Sequence, residues 1–425
     1  MRISIIGSGY VGLSGGVGLV SKGHDVTLVD IDEEKVEKIN SGEPPIYEEG
    51  MEKMLNEALE NNKLKATTDT EKAIKDTEVT FIAVGTPSDA DGKIDLTAVK
   101  AASRDVGKSL KENDSYHVIS VKSTVVPETV EDEIIPILEK YSNKKAGSDF
   151  SVCMTPEFLR EGVALDDFLN PDRIVIGELD ERSGNKLEEV YKDFDAPIVR
   201  TSIKAAEIIK YASNSLLATK ITFANEIGNI CKKLDVDVYD VMDAVGLDHR
   251  INRDFLNAGC GYGGSCFPKD VKALINKSKE LGHEPELLKN VDGSNERQKT
   301  KIVELAEEKI GKLDGKHVGI LGLSFKPGTD DIRESPAINV IQELLQKNCT
   351  VHAHDPKAME NMKELFPEVN YYEDPHDVLQ NSEVCKILTD WDNYNNLNKN
   401  HLSHTKVFEG KRVLDEDVNR EGLCW

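Results

Sequence analysis

The first thirty residues constrain the fold of this chain more than any other segment. Residues 2–6, RISII, predict a short buried strand that leads into Gly7-Ser8-Gly9-Tyr10-Val11-Gly12, a match to the pattern G-x-G-x-x-G. A helical stretch follows, and a second strand, DVTLVD, ends at Asp30, 23 residues after Gly7. A glycine loop alone often only turns the chain, but this order of strand, loop, helix, strand and acid indicates a dinucleotide-binding α/β fold.

Each part of this segment has a physical role in binding a dinucleotide. Gly7 permits the tight turn, Gly9 lets the backbone approach a pyrophosphate, and Gly12 allows the helix to pack closely on the strand. The helix N-terminus then faces the phosphate, and Asp30 is at the spacing expected for an acid that binds ribose hydroxyl groups. The segment 31–35, IDEEK, adds three acids and no arginine, so a 2′-phosphate is repelled and NAD is favoured over NADP.

Alternating strand and helix signals continue through the first half of the chain and predict a parallel, doubly wound sheet. The apolar runs that predict further strands are VTFIAVG at 79–85, HVISVKST at 117–124, FSVCMTPEF at 150–158 and RIVIGE at 173–178. Around Pro197 this pattern changes. Residues 203–233 contain no proline and a single glycine, which predicts one long helix. Its central position fits a helix that bridges two domains, a helix within one core, or both at once.

A second α/β series begins after a break at 311–315 that contains glycine and lysine. Its strands are predicted at HVGILGLSF (317–325), CTVHAHDP (349–356), VCKILTDW (384–391) and KVFEG (406–410). We therefore expect the fold class to be α/β, with two Rossmann-like, doubly wound domains joined by a central helical domain. The second series lacks a complete G-x-G-x-x-G, which predicts a different mode of nucleotide binding.

Composition excludes several classes of protein. The 425 residues are enough for two or three domains, and 77 acidic against 53 basic residues give a net charge of −24. No binding to nucleic acid or to an anionic membrane through the general field is expected from this charge. No run of eighteen apolar residues predicts a membrane span, and the N-terminus has no signal-peptide pattern. The seven scattered cysteines fit reduced thiols, so a cytoplasmic location is expected.

The segment 259–270, GCGYGGSCFPKD, is the most informative about chemistry. Its four glycines in six residues predict a loop that a ligand can approach closely, and Pro268 is expected as the first helical residue. Cys266 then precedes a helix N-terminus beside Lys269, and both the helix dipole and the cation favour its thiolate. Asp270 falls in the first turn, where it can accept a proton or order water. A buried structural thiol is the alternative for Cys266.

Two further pairs of polar residues are candidates for chemistry. In TPEFLREG, Glu157 and Glu161 follow the end of a predicted strand and share one face if the segment is helical. Lys210 and Asn214 likewise share one face of the predicted long helix. A solvated helix face is the alternative for either pair. No metal site is predicted, because cysteines at 260 and 266 without a nearby histidine do not fit zinc.

An NAD site combined with an activated cysteine indicates a class of reaction. The combination predicts oxidation of a substrate through a thiohemiacetal and then a thioester on Cys266. Release of the resulting acid needs a base that activates water, and Glu157 is the candidate for this role.

Nine segments, in order along essentially the whole chain, resemble the UDP-glucose/GDP-mannose dehydrogenase family. They are GSGYVG, VGTPS, KST, TPEFLREG, EIIKYASN, FLNAGCGYGGSCFPKD, LGLSFKPGTDDIRESP, TDW and FEGKRVLD. The resemblance implies NAD-dependent oxidation of UDP-glucose to UDP-glucuronate by a homodimer. It also implies three domains: an NAD-binding Rossmann domain at 1–196, a central helical dimerisation domain at 197–310 and a C-terminal UDP-sugar-binding domain at 311–425.

The resemblance further implies roles for individual residues. The catalytic positions that match are Cys266 as the nucleophile, Glu157 as the acid/base for thioester hydrolysis, and the group that orders water and stabilises oxyanions, Lys210, Asn214 and Asp270, with Thr124 nearby. The positions that match NAD contacts are Gly7, Gly9, Tyr10, Val11, Gly12, Asp30, Lys35, Thr86, Thr124, Glu161, Lys269 and Arg333. The positions that match the nucleotide-sugar pocket are Glu157, Phe158, Leu159, Arg160, Lys210, Asn214, Asn257, Gly259, Tyr262, Gly263, Phe325, Lys326 and Arg412, and Arg250 matches an arginine supplied across a dimer interface.

Two departures from the family pattern involve glycine. Relatives commonly have Arg-Ile-Gly where this chain has Arg250-Ile251-Asn252, and asparagine can also adopt positive φ, so the loop is expected to keep its conformation. Gly15, Gly16 and Gly18 of the first helix are each expected to weaken it by about 1 kcal/mol relative to alanine. The sequence shows no functional reason for these three glycines.

The sequence leaves two alternative substrates and one alternative class of protein. GDP-mannose relatives share many of the nine segments, and relatives that act on UDP-N-acetylhexosamines usually have histidine where this chain has Ser265. A catalytically silent binding protein for NAD or nucleotide sugars is the alternative from another class. The intact set of Cys266, Lys269 and Asp270 argues against it.

Overall fold

The structure, a computed structural model, describes residues 1–89, 91–113, 115–397, 402, 405–414 and 420–425. Asp415, the last residue of the FEGKRVLD segment, lies outside the described residues. The chain divides into two compact units, Met1–Ala212 and Ser213–Trp425. Within the described ranges, no helix is both long enough and apolar enough to cross a membrane.

The first unit is built from strands that alternate with helices. Its strands are β1 Arg2–Ile6, β2 Asp25–Val29, β3 Leu64–Thr67, β4 Val79–Ile82, β5 His117–Val121, β6 Phe150–Met154, β7 Ile174–Glu178 and β8 Ile198–Ser202. Its helices are α1 Tyr10–Ser21, α2 Glu33–Asn40, α3 Met51–Glu60, α4 Thr70–Lys75, α5 Thr97–Lys111, α6 Ile135–Ser142, α7 Ala164–Leu169 and α8 Glu181–Tyr191, with a π-helical turn at Val130–Ile134 before α6. The long helix α9, Ile203–Leu234, begins in this unit and ends in the second.

The strands of the first unit form one sheet in the order β3-β2-β1-β4-β5-β6-β7-β8. The first six strands are parallel, which confirms the doubly wound fold predicted from the sequence. The expected parallel direction is wrong for β7, which pairs antiparallel with β6, while β8 runs parallel to β7. After β6, residues 155–160 have no regular secondary structure and α7 packs on α1 through Phe168. The chain then re-enters the sheet in the opposite direction.

Alternate residues of the strands supply two hydrophobic cores, one on each face of the sheet. Phe81 and Val118 belong to one core, whereas their neighbours Ile82 and Ile119 belong to the other. Because successive side chains of a strand point to opposite faces, both faces of the sheet are covered, as a parallel sheet requires.

The three glycines of α1 let this helix pack closely on its neighbours. An added Cβ at Gly16 lies 2.9 Å from Leu28 Cδ2, and one at Gly18 lies 2.2 Å from Phe168 Cδ1. An added Cβ at Gly15 lies at an ordinary 3.5 Å from the ring of Phe168. Close contact with β2 and α7 is therefore the reason for glycine at positions 16 and 18, which the sequence did not reveal.

The second unit combines a helical region with a second sheet. Its strands are β9 His317–Leu321, β10 Thr350–His354, β11 Asn370–Tyr371, β12 Val384–Ile387, β13 Lys406–Glu409 and β14 Arg420–Gly422. Its helices after α9 are α10 Val238–Gly246, α11 Phe267–Glu280, α12 Glu286–Lys299, α13 Lys301–Ile310, α14 Pro336–Gln346, α15 Met359–Leu365 and α16 Pro375–Gln380, with a 3₁₀ turn at Asp392–Tyr394.

The sheet of the second unit has the order β11-β10-β9-β12-β13-β14, and its described strands pair in parallel. This is the spatial order of the first six strands of the first unit, so the prediction of a second Rossmann-like domain is confirmed. The long helix predicted at 203–233 is also confirmed. Its single glycine, Gly228, packs against Cys424, because an added Cβ lies 2.7 Å from Cys424 Cβ.

Replacement of Gly18 by alanine is expected to destabilise the first unit by about 1–3 kcal/mol, because the new methyl group overlaps the ring of Phe168. Gly15→Ala is the matched control in the same helix. Its methyl group fits beside Phe168, so the higher helix propensity of alanine should stabilise the unit by up to about 1 kcal/mol. Urea unfolding followed by circular dichroism measures both changes, and equal effects of the two substitutions would contradict the packing argument.

Candidate functional site

The loop between β1 and α1 has the geometry of a pyrophosphate-binding turn. Gly7 lies at φ +99°, and an added Cβ at Gly12 lies 1.8 Å from the carbonyl oxygen of Gly7, so both positions require glycine. At Gly9, by contrast, an added Cβ meets nothing within 4 Å. Gly9 is also the N-cap of α1 and offers no side chain to the first N–H groups of the helix. These N–H groups and the open space before them fit the pyrophosphate of a dinucleotide.

Asp30 follows β2 and is bonded to this loop. Its Oδ2 accepts hydrogen bonds from the backbone N–H and the hydroxyl of Ser8, at 2.9 and 2.6 Å, and its Oδ1 accepts the N–H of Asp32 at 3.1 Å. Burial favours the neutral acid, but these hydrogen bonds and the charge of Lys35 hold the pKa of Asp30 below its ordinary value. The carboxylate is half-buried, so its remaining lone pairs can accept the hydroxyl groups of a ribose.

Sequence reasoning missed one apolar residue beside this acid. Ile31 directly follows Asp30 and is 97% exposed, although isoleucine is normally buried. An exposed apolar side chain next to a ribose-binding acid can pack against the flat base of the same nucleotide. The available signal was a single isoleucine within an acidic segment. Asp32, in the same segment, accepts hydrogen bonds from Glu34 and Lys35 and caps α2.

Thr86 and Thr124 are joined where the chain leaves β4 and β5. The hydroxyl of Thr86 donates to the carbonyl oxygen of Thr124 over 2.9 Å, and the hydroxyl of Ser123 donates to the carbonyl oxygen of Val84 over 2.7 Å. The carboxyl ends of parallel strands are the edge of a doubly wound sheet at which ligands bind. Both threonines therefore lie where a bound dinucleotide can contact them.

Glu157 and Lys210 form a buried ion pair in the first unit. Lys210 donates from Nζ to Oε1 of Glu157 over 2.9 Å, and the N–H of Leu159 donates to Oε2 over 2.6 Å. Only 3% of the Lys210 side chain and 8% of the Glu157 side chain are exposed, so neither belongs to a solvated helix face. Burial favours the neutral acid, but the charge and hydrogen bond of Lys210 hold the pKa of Glu157 below its ordinary value. Glu157 is therefore a fixed, ionised carboxylate.

The segment that carries Glu157 is not helical, so the predicted common helix face of Glu157 and Glu161 is wrong. Residues 155–160 have no regular secondary structure, and Glu161 lies half-buried in the turn that follows. The physical reason is local: the Glu157 carboxylate takes the N–H of Leu159, a bond that competes with helix formation.

Two other residues of this segment, Phe158 and Arg160, also have charged neighbours. The ring of Phe158 lies 3.9 Å from the Arg173 guanidinium and 5.5 Å from Lys210 Nζ, measured to the ring centroid. Arg160 forms a two-bond ion pair with Asp167, at 3.0 and 2.6 Å, and most of its side chain is exposed. Phe158 thus lies beside the buried ion pair, whereas the Arg160 charge is already paired.

Cys266 differs from the other cysteines of the chain. None of the seven is in a disulfide bond, but six are buried and Cys266 alone is partly exposed. Burial raises the pKa of the Cys153, Cys260, Cys385 and Cys424 thiols to about 12, which makes them unreactive. Cys266 is the N-cap of α11, where the helix dipole favours a thiolate, so it is not a buried structural thiol. The helix begins at Phe267, one residue before the predicted Pro268.

Asp270 is almost fully buried in the first turn of α11 and is held from both sides. Nδ2 of Asn214 donates to its Oδ2 over 2.6 Å, and Nζ of Lys269 donates to its Oδ1 over 2.6 Å. The charge of Lys269, which the sequence places beside Cys266, is paired with Asp270. Asn214 is 6% exposed, so it too lies off the solvated face of its helix.

The glycines of the glycine-rich loop before Cys266 allow it to pack closely on neighbouring parts of its own unit. An added Cβ at Gly259 lies 2.4 Å from Gly410 O, and one at Gly261 lies 2.6 Å from Asn295 Oδ1. An added Cβ at Gly263 lies 2.3 Å from Glu334 O, and one at Gly264 lies 2.7 Å from the Phe325 ring. The space behind these glycines is filled by the protein itself. Glycine is therefore required here for the loop to pack within its own unit.

Three buried amides that sequence reasoning missed hold this loop in place. Asn295 accepts the N–H of Tyr262 at 2.8 Å and donates to its carbonyl oxygen at 3.0 Å, as a neighbouring strand would. Asn225 accepts the N–H of Gly259 at 2.7 Å, and Gln298 donates to its carbonyl oxygen at 2.8 Å. Nothing in the sequence distinguishes these amides from amides on a helix surface.

Phe325 and Lys326 lie in the loop that follows β9, which packs on the glycine-rich loop. The N–H of Gly264 donates to the carbonyl oxygen of Arg333 over 2.8 Å, and the Phe325 ring lies against Gly264. Nζ of Lys326 lies 5.6 Å from the ring centroid of Phe325. The Arg333 side chain is 61% exposed and forms a two-bond ion pair with Asp331. The predicted substrate residues of the two loops are thus brought together.

Arg412 is held by a carboxylate and by aromatic rings. Its guanidinium forms an ion pair with Asp237 and lies 4.4 Å from the ring centroid of Tyr239 and 5.5 Å from that of Trp425. A charge paired in this way is positioned by its own unit before any ligand binds.

Arg250 lies on an exposed loop of the second unit. Its side chain is 78% exposed and forms a two-bond ion pair with Asp248. Asn252 lies at φ +63°, which confirms that asparagine takes the left-handed conformation at the position where relatives have glycine. Asn257, also a predicted substrate residue, is exposed.

The second unit has a counterpart of Asp30 that is closed to ligands. Asp355 follows β10, is fully buried, and accepts at Oδ2 the N–H groups of Leu323 and Ser324, at 2.7 and 3.0 Å, and the Trp391 indole N–H at 3.0 Å. Its Oδ1 accepts two further backbone N–H groups. Because the protein uses its acceptor capacity, Asp355 cannot bind a ribose as Asp30 can.

Two doubly wound sheets, a loop that fits a pyrophosphate and a partly exposed cysteine at a helix N-terminus define a dehydrogenase that uses nucleotides. Residues 1–195 match the NAD binding domain of the UDP-glucose/GDP-mannose dehydrogenase family, residues 204–297 match its central domain and residues 319–416 match its UDP binding domain. The chain belongs to this family. It is an oxidoreductase whose cofactor is NAD and whose substrate is a nucleotide sugar.

Similar proteins cover the whole chain. A UDP-glucose 6-dehydrogenase from Haloferax volcanii is 44% identical over 430 residues, which are 100% of this chain and 99% of that protein. A GDP-mannose 6-dehydrogenase from Pseudomonas savastanoi pv. phaseolicola is 41% identical over 443 residues and the match covers 100% of both chains. The solved structure of a UDP-glucose dehydrogenase from the archaeon Pyrobaculum islandicum superposes with a TM-score of 0.95 at 44% identity, covering 100% of this chain and 98% of that one.

Lys210→Met is expected to destabilise the protein by about 3–5 kcal/mol at neutral pH, because Glu157 is left buried without its cation. Adding Glu157→Gln to the same chain should recover part of this loss. In the single variant Lys210→Met, the pKa of Glu157 rises above its lowered wild-type value. The difference in unfolding free energy between wild type and Lys210→Met, which we call the gap, should therefore shrink as the pH falls. Urea unfolding between pH 5 and pH 8 measures the gap. Lys204→Met removes a half-exposed lysine of the same helix and should cost less than about 1 kcal/mol.

Proposed function

We propose that this protein oxidises the 6-hydroxymethyl group of UDP-glucose to the carboxylate of UDP-glucuronate, with two molecules of NAD consumed for each sugar nucleotide. The observation that carries this proposal is Cys266, the one partly exposed cysteine, which caps the helix that also holds Asp270. An enzyme that stops at an aldehyde has no need of a nucleophilic thiol. The full-length relatives named as UDP-glucose dehydrogenases support UDP-glucose as the substrate.

Cys266 supplies the step that turns two oxidations into one reaction. Its thiolate adds to the aldehyde carbon, and the new oxyanion takes up a proton to give a thiohemiacetal. Loss of the hydride from that carbon and of the proton from its hydroxyl oxygen gives a thioester. When bound, NAD accepts the hydride in each of the two oxidation steps. Water then adds to the thioester carbon, and the thiolate of Cys266 leaves as the carboxylate forms.

Glu157 is the base that we assign to hydrolysis of the thioester. Its buried carboxylate is ionised at neutral pH because Lys210 is paired with it, so it can take a proton from the attacking water. Phe158 beside this pair excludes bulk water from one side. Lys210 and Asn214 are assigned to oxyanion stabilisation as hydrogen-bond donors, and Asp270 holds Asn214 in place. Thr124 completes the assigned catalytic set.

The binding residues are assigned to the two ligands. We assign the NAD contacts to Gly7, Gly9, Tyr10, Val11, Gly12, Asp30, Lys35, Thr86, Thr124, Glu161, Lys269 and Arg333. We assign the sugar nucleotide contacts to Glu157, Phe158, Leu159, Arg160, Lys210, Asn214, Asn257, Gly259, Tyr262, Gly263, Phe325, Lys326 and Arg412. The open Gly9 and the ionised Asp30 support the first set, and the packing of Phe325 on the glycine-rich loop supports the second.

We propose a homodimer whose chain consists, in sequence order, of an NAD-binding domain at 1–196, a central dimerisation domain at 197–310 and a UDP-sugar-binding domain at 311–425. An apolar stripe on α9 supports the dimer: Leu216, Phe223 and Ile230 recur every seven residues and are 63%, 51% and 50% exposed. Arg250 is assigned to the site of the other subunit, consistent with its exposure. The seven free thiols support a reducing compartment, the cytoplasm.

GDP-mannose is the second candidate substrate, because a GDP-mannose 6-dehydrogenase matches the whole chain almost as well. The two candidates differ in the base of the nucleotide and in the configuration at C2 of the sugar. The same cysteine chemistry serves both. A panel of nucleotide sugars therefore separates them.

The panel is assayed for NADH release with UDP-glucose, GDP-mannose and UDP-N-acetylglucosamine. UDP-glucose should give the highest kcat/KM, and two NADH should form for each UDP-glucose consumed, because oxidation of an alcohol to an acid removes four electrons. A ratio of one, with free aldehyde, would show that no thioester forms. A higher kcat/KM with GDP-mannose would replace UDP-glucose as the substrate.

Substitution of the base and of the nucleophile should give different products. Glu157→Gln keeps the size of the side chain but removes the base, so hydrolysis should slow by roughly 10²–10⁴-fold and the acyl group should accumulate on Cys266. Cys266→Ser is the matched control, because it cannot form the hydrolysable thioester. Mass spectrometry after mixing with NAD and UDP-glucose should find a UDP-glucuronyl group on the peptide of Cys266. Normal turnover of Glu157→Gln, or an adduct elsewhere, would refute the assignments.

A further inference from the structure

Glu207 is a buried acidic residue that the proposed reaction does not use. It lies on α9, three residues before Lys210, and none of its surface is exposed. Its Oε2 accepts the N–H of Glu128 over 2.8 Å, and its Oε1 accepts the N–H of Val130 over 2.9 Å. Lys204, one turn earlier on the helix, pairs with Glu128 and with Glu131 and not with this carboxyl group. Such full burial of a glutamate is rare and requires a specific reason.

The segment that Glu207 holds joins β5 to α6 and has an unusual backbone. Glu128 lies at φ +81°, in the left-handed region that strains a residue with a side chain. Val130–Ile134 then form a π-helical turn, a rare form of helix that is frequent at functional sites. The N–H groups at the start of a helical turn have no acceptor within the turn. The two oxygens of Glu207 supply the acceptors for Glu128 and Val130.

Thr124 lies at the start of the same segment, four residues before Glu128. Its carbonyl oxygen is held on one side by the hydroxyl of Thr86. Further along the chain, at residues 128 and 130, the backbone is hydrogen-bonded to the carboxyl group of Glu207 on α9. Because Lys210 lies one turn further along α9, this anchor connects the helix of Lys210 to the loop of Thr124.

We infer that Glu207 is a positioning residue: its carboxyl group fixes the segment 125–134 and thereby holds Thr124 in register with Lys210. The inference rests on the proposed function only for its effect on turnover, since the fixing of the segment can be measured without any substrate. It adds to the proposed reaction a residue that touches neither the reacting atoms nor the nucleotide.

The interaction by which Glu207 fixes the segment 125–134, called the hold below, depends on pH in a defined direction. Burial raises the pKa of Glu207 to about 7, and the nearby Glu131 also raises it. The two N–H bonds and the charge of Lys204 lower it, but by less. The carboxyl group therefore binds its proton more tightly in the fixed arrangement than in one that is open to water. The stabilisation is present at acidic pH and is lost as the pH rises through about 7. The charged groups near it are Glu128 and Glu131 of the segment and Lys204 of α9.

Hydrogen exchange of the full-length protein without ligands tests the hold directly. Glu207→Gln replaces one acceptor oxygen by an NH₂ group and leaves one N–H of the segment without a partner. At pH 6, exchange in peptides that cover 124–134 should be about tenfold faster than in wild type, after correction for intrinsic rates. At pH 8 the difference should narrow, because the wild-type hold weakens. Asp132→Asn is the matched control: it removes an exposed carboxylate of the same segment and should exchange like wild type.

Steady-state kinetics with NAD and UDP-glucose tests the consequence for Thr124. The kcat of Glu207→Gln should fall by roughly 10–100-fold with little change in KM for UDP-glucose, because Thr124 is displaced while the contacts assigned to the sugar nucleotide remain. Asp132→Asn should keep the wild-type kcat. Equal exchange in Glu207→Gln and wild type, or faster exchange with an unchanged kcat, overturns the inference.

Two outcomes separate this inference from the proposed function. If wild type releases no NADH from UDP-glucose, the proposed function fails. The inference about Thr124 is then tested by the affinity for NAD of Glu207→Gln relative to wild type. Weaker binding supports the inference, and unchanged binding overturns it. If Glu207→Gln does not fold, the exchange of wild type at pH 6 and pH 8 decides alone. Protection of 124–134 that does not decrease at pH 8 then overturns the inference.

Discussion

The buried ion pair of Glu157 and Lys210 is the interaction on which the arrangement of the first unit depends. It joins the irregular segment after β6 to the start of α9, with both charges almost fully removed from water. Removing two charges from water costs more free energy than an apolar contact of the same size, so stability alone does not explain the pair. What the pair provides is a carboxylate that stays ionised inside the protein. A base for hydrolysis needs this property, and the pair therefore links the fold to the proposed chemistry.

The two Rossmann-like sheets show how one architecture serves two binding modes. Each sheet places an acid after its second strand in sequence, Asp30 in one and Asp355 in the other. Asp30 is half-buried and keeps acceptor capacity for a ribose, whereas Asp355 is fully buried and accepts the Trp391 indole and several backbone N–H groups. The same acid is open to a ligand in one unit and an internal support in the other. Its neighbours decide which, because a carboxylate saturated by protein donors has nothing left for a ligand.

Glycine likewise has different functions at different positions. In the first loop, Gly9 faces open space and Gly7 and Gly12 make the turn possible. In α1 and in the loop 259–264, glycine allows the chain to approach Phe168, Asn295 or Phe325 at distances that exclude a Cβ. The glycine-rich loop before Cys266 is held by hydrogen bonds with buried amides of its own unit. The role proposed for Cys266, that of a nucleophile, needs a loop that is held in this way.

The sequence by itself determined the two α/β series, the long helix, the NAD loop with Asp30 and the distinct position of Cys266 before a helix. These features depend on residues that are neighbours in the chain: the alternation of apolar runs, the spacing of glycines and the acid at the end of a strand. Only the tertiary structure decided the antiparallel direction of β7, the irregular path around Glu157, the pairing of Lys269 with Asp270 and the anchoring of the Thr124 segment by Glu207. Most of these depend on partners that are distant in the chain, such as Lys210 for Glu157 and Asn214 for Asp270. A local pattern cannot specify such partners, because the free energy that selects them arises only when the whole unit is packed.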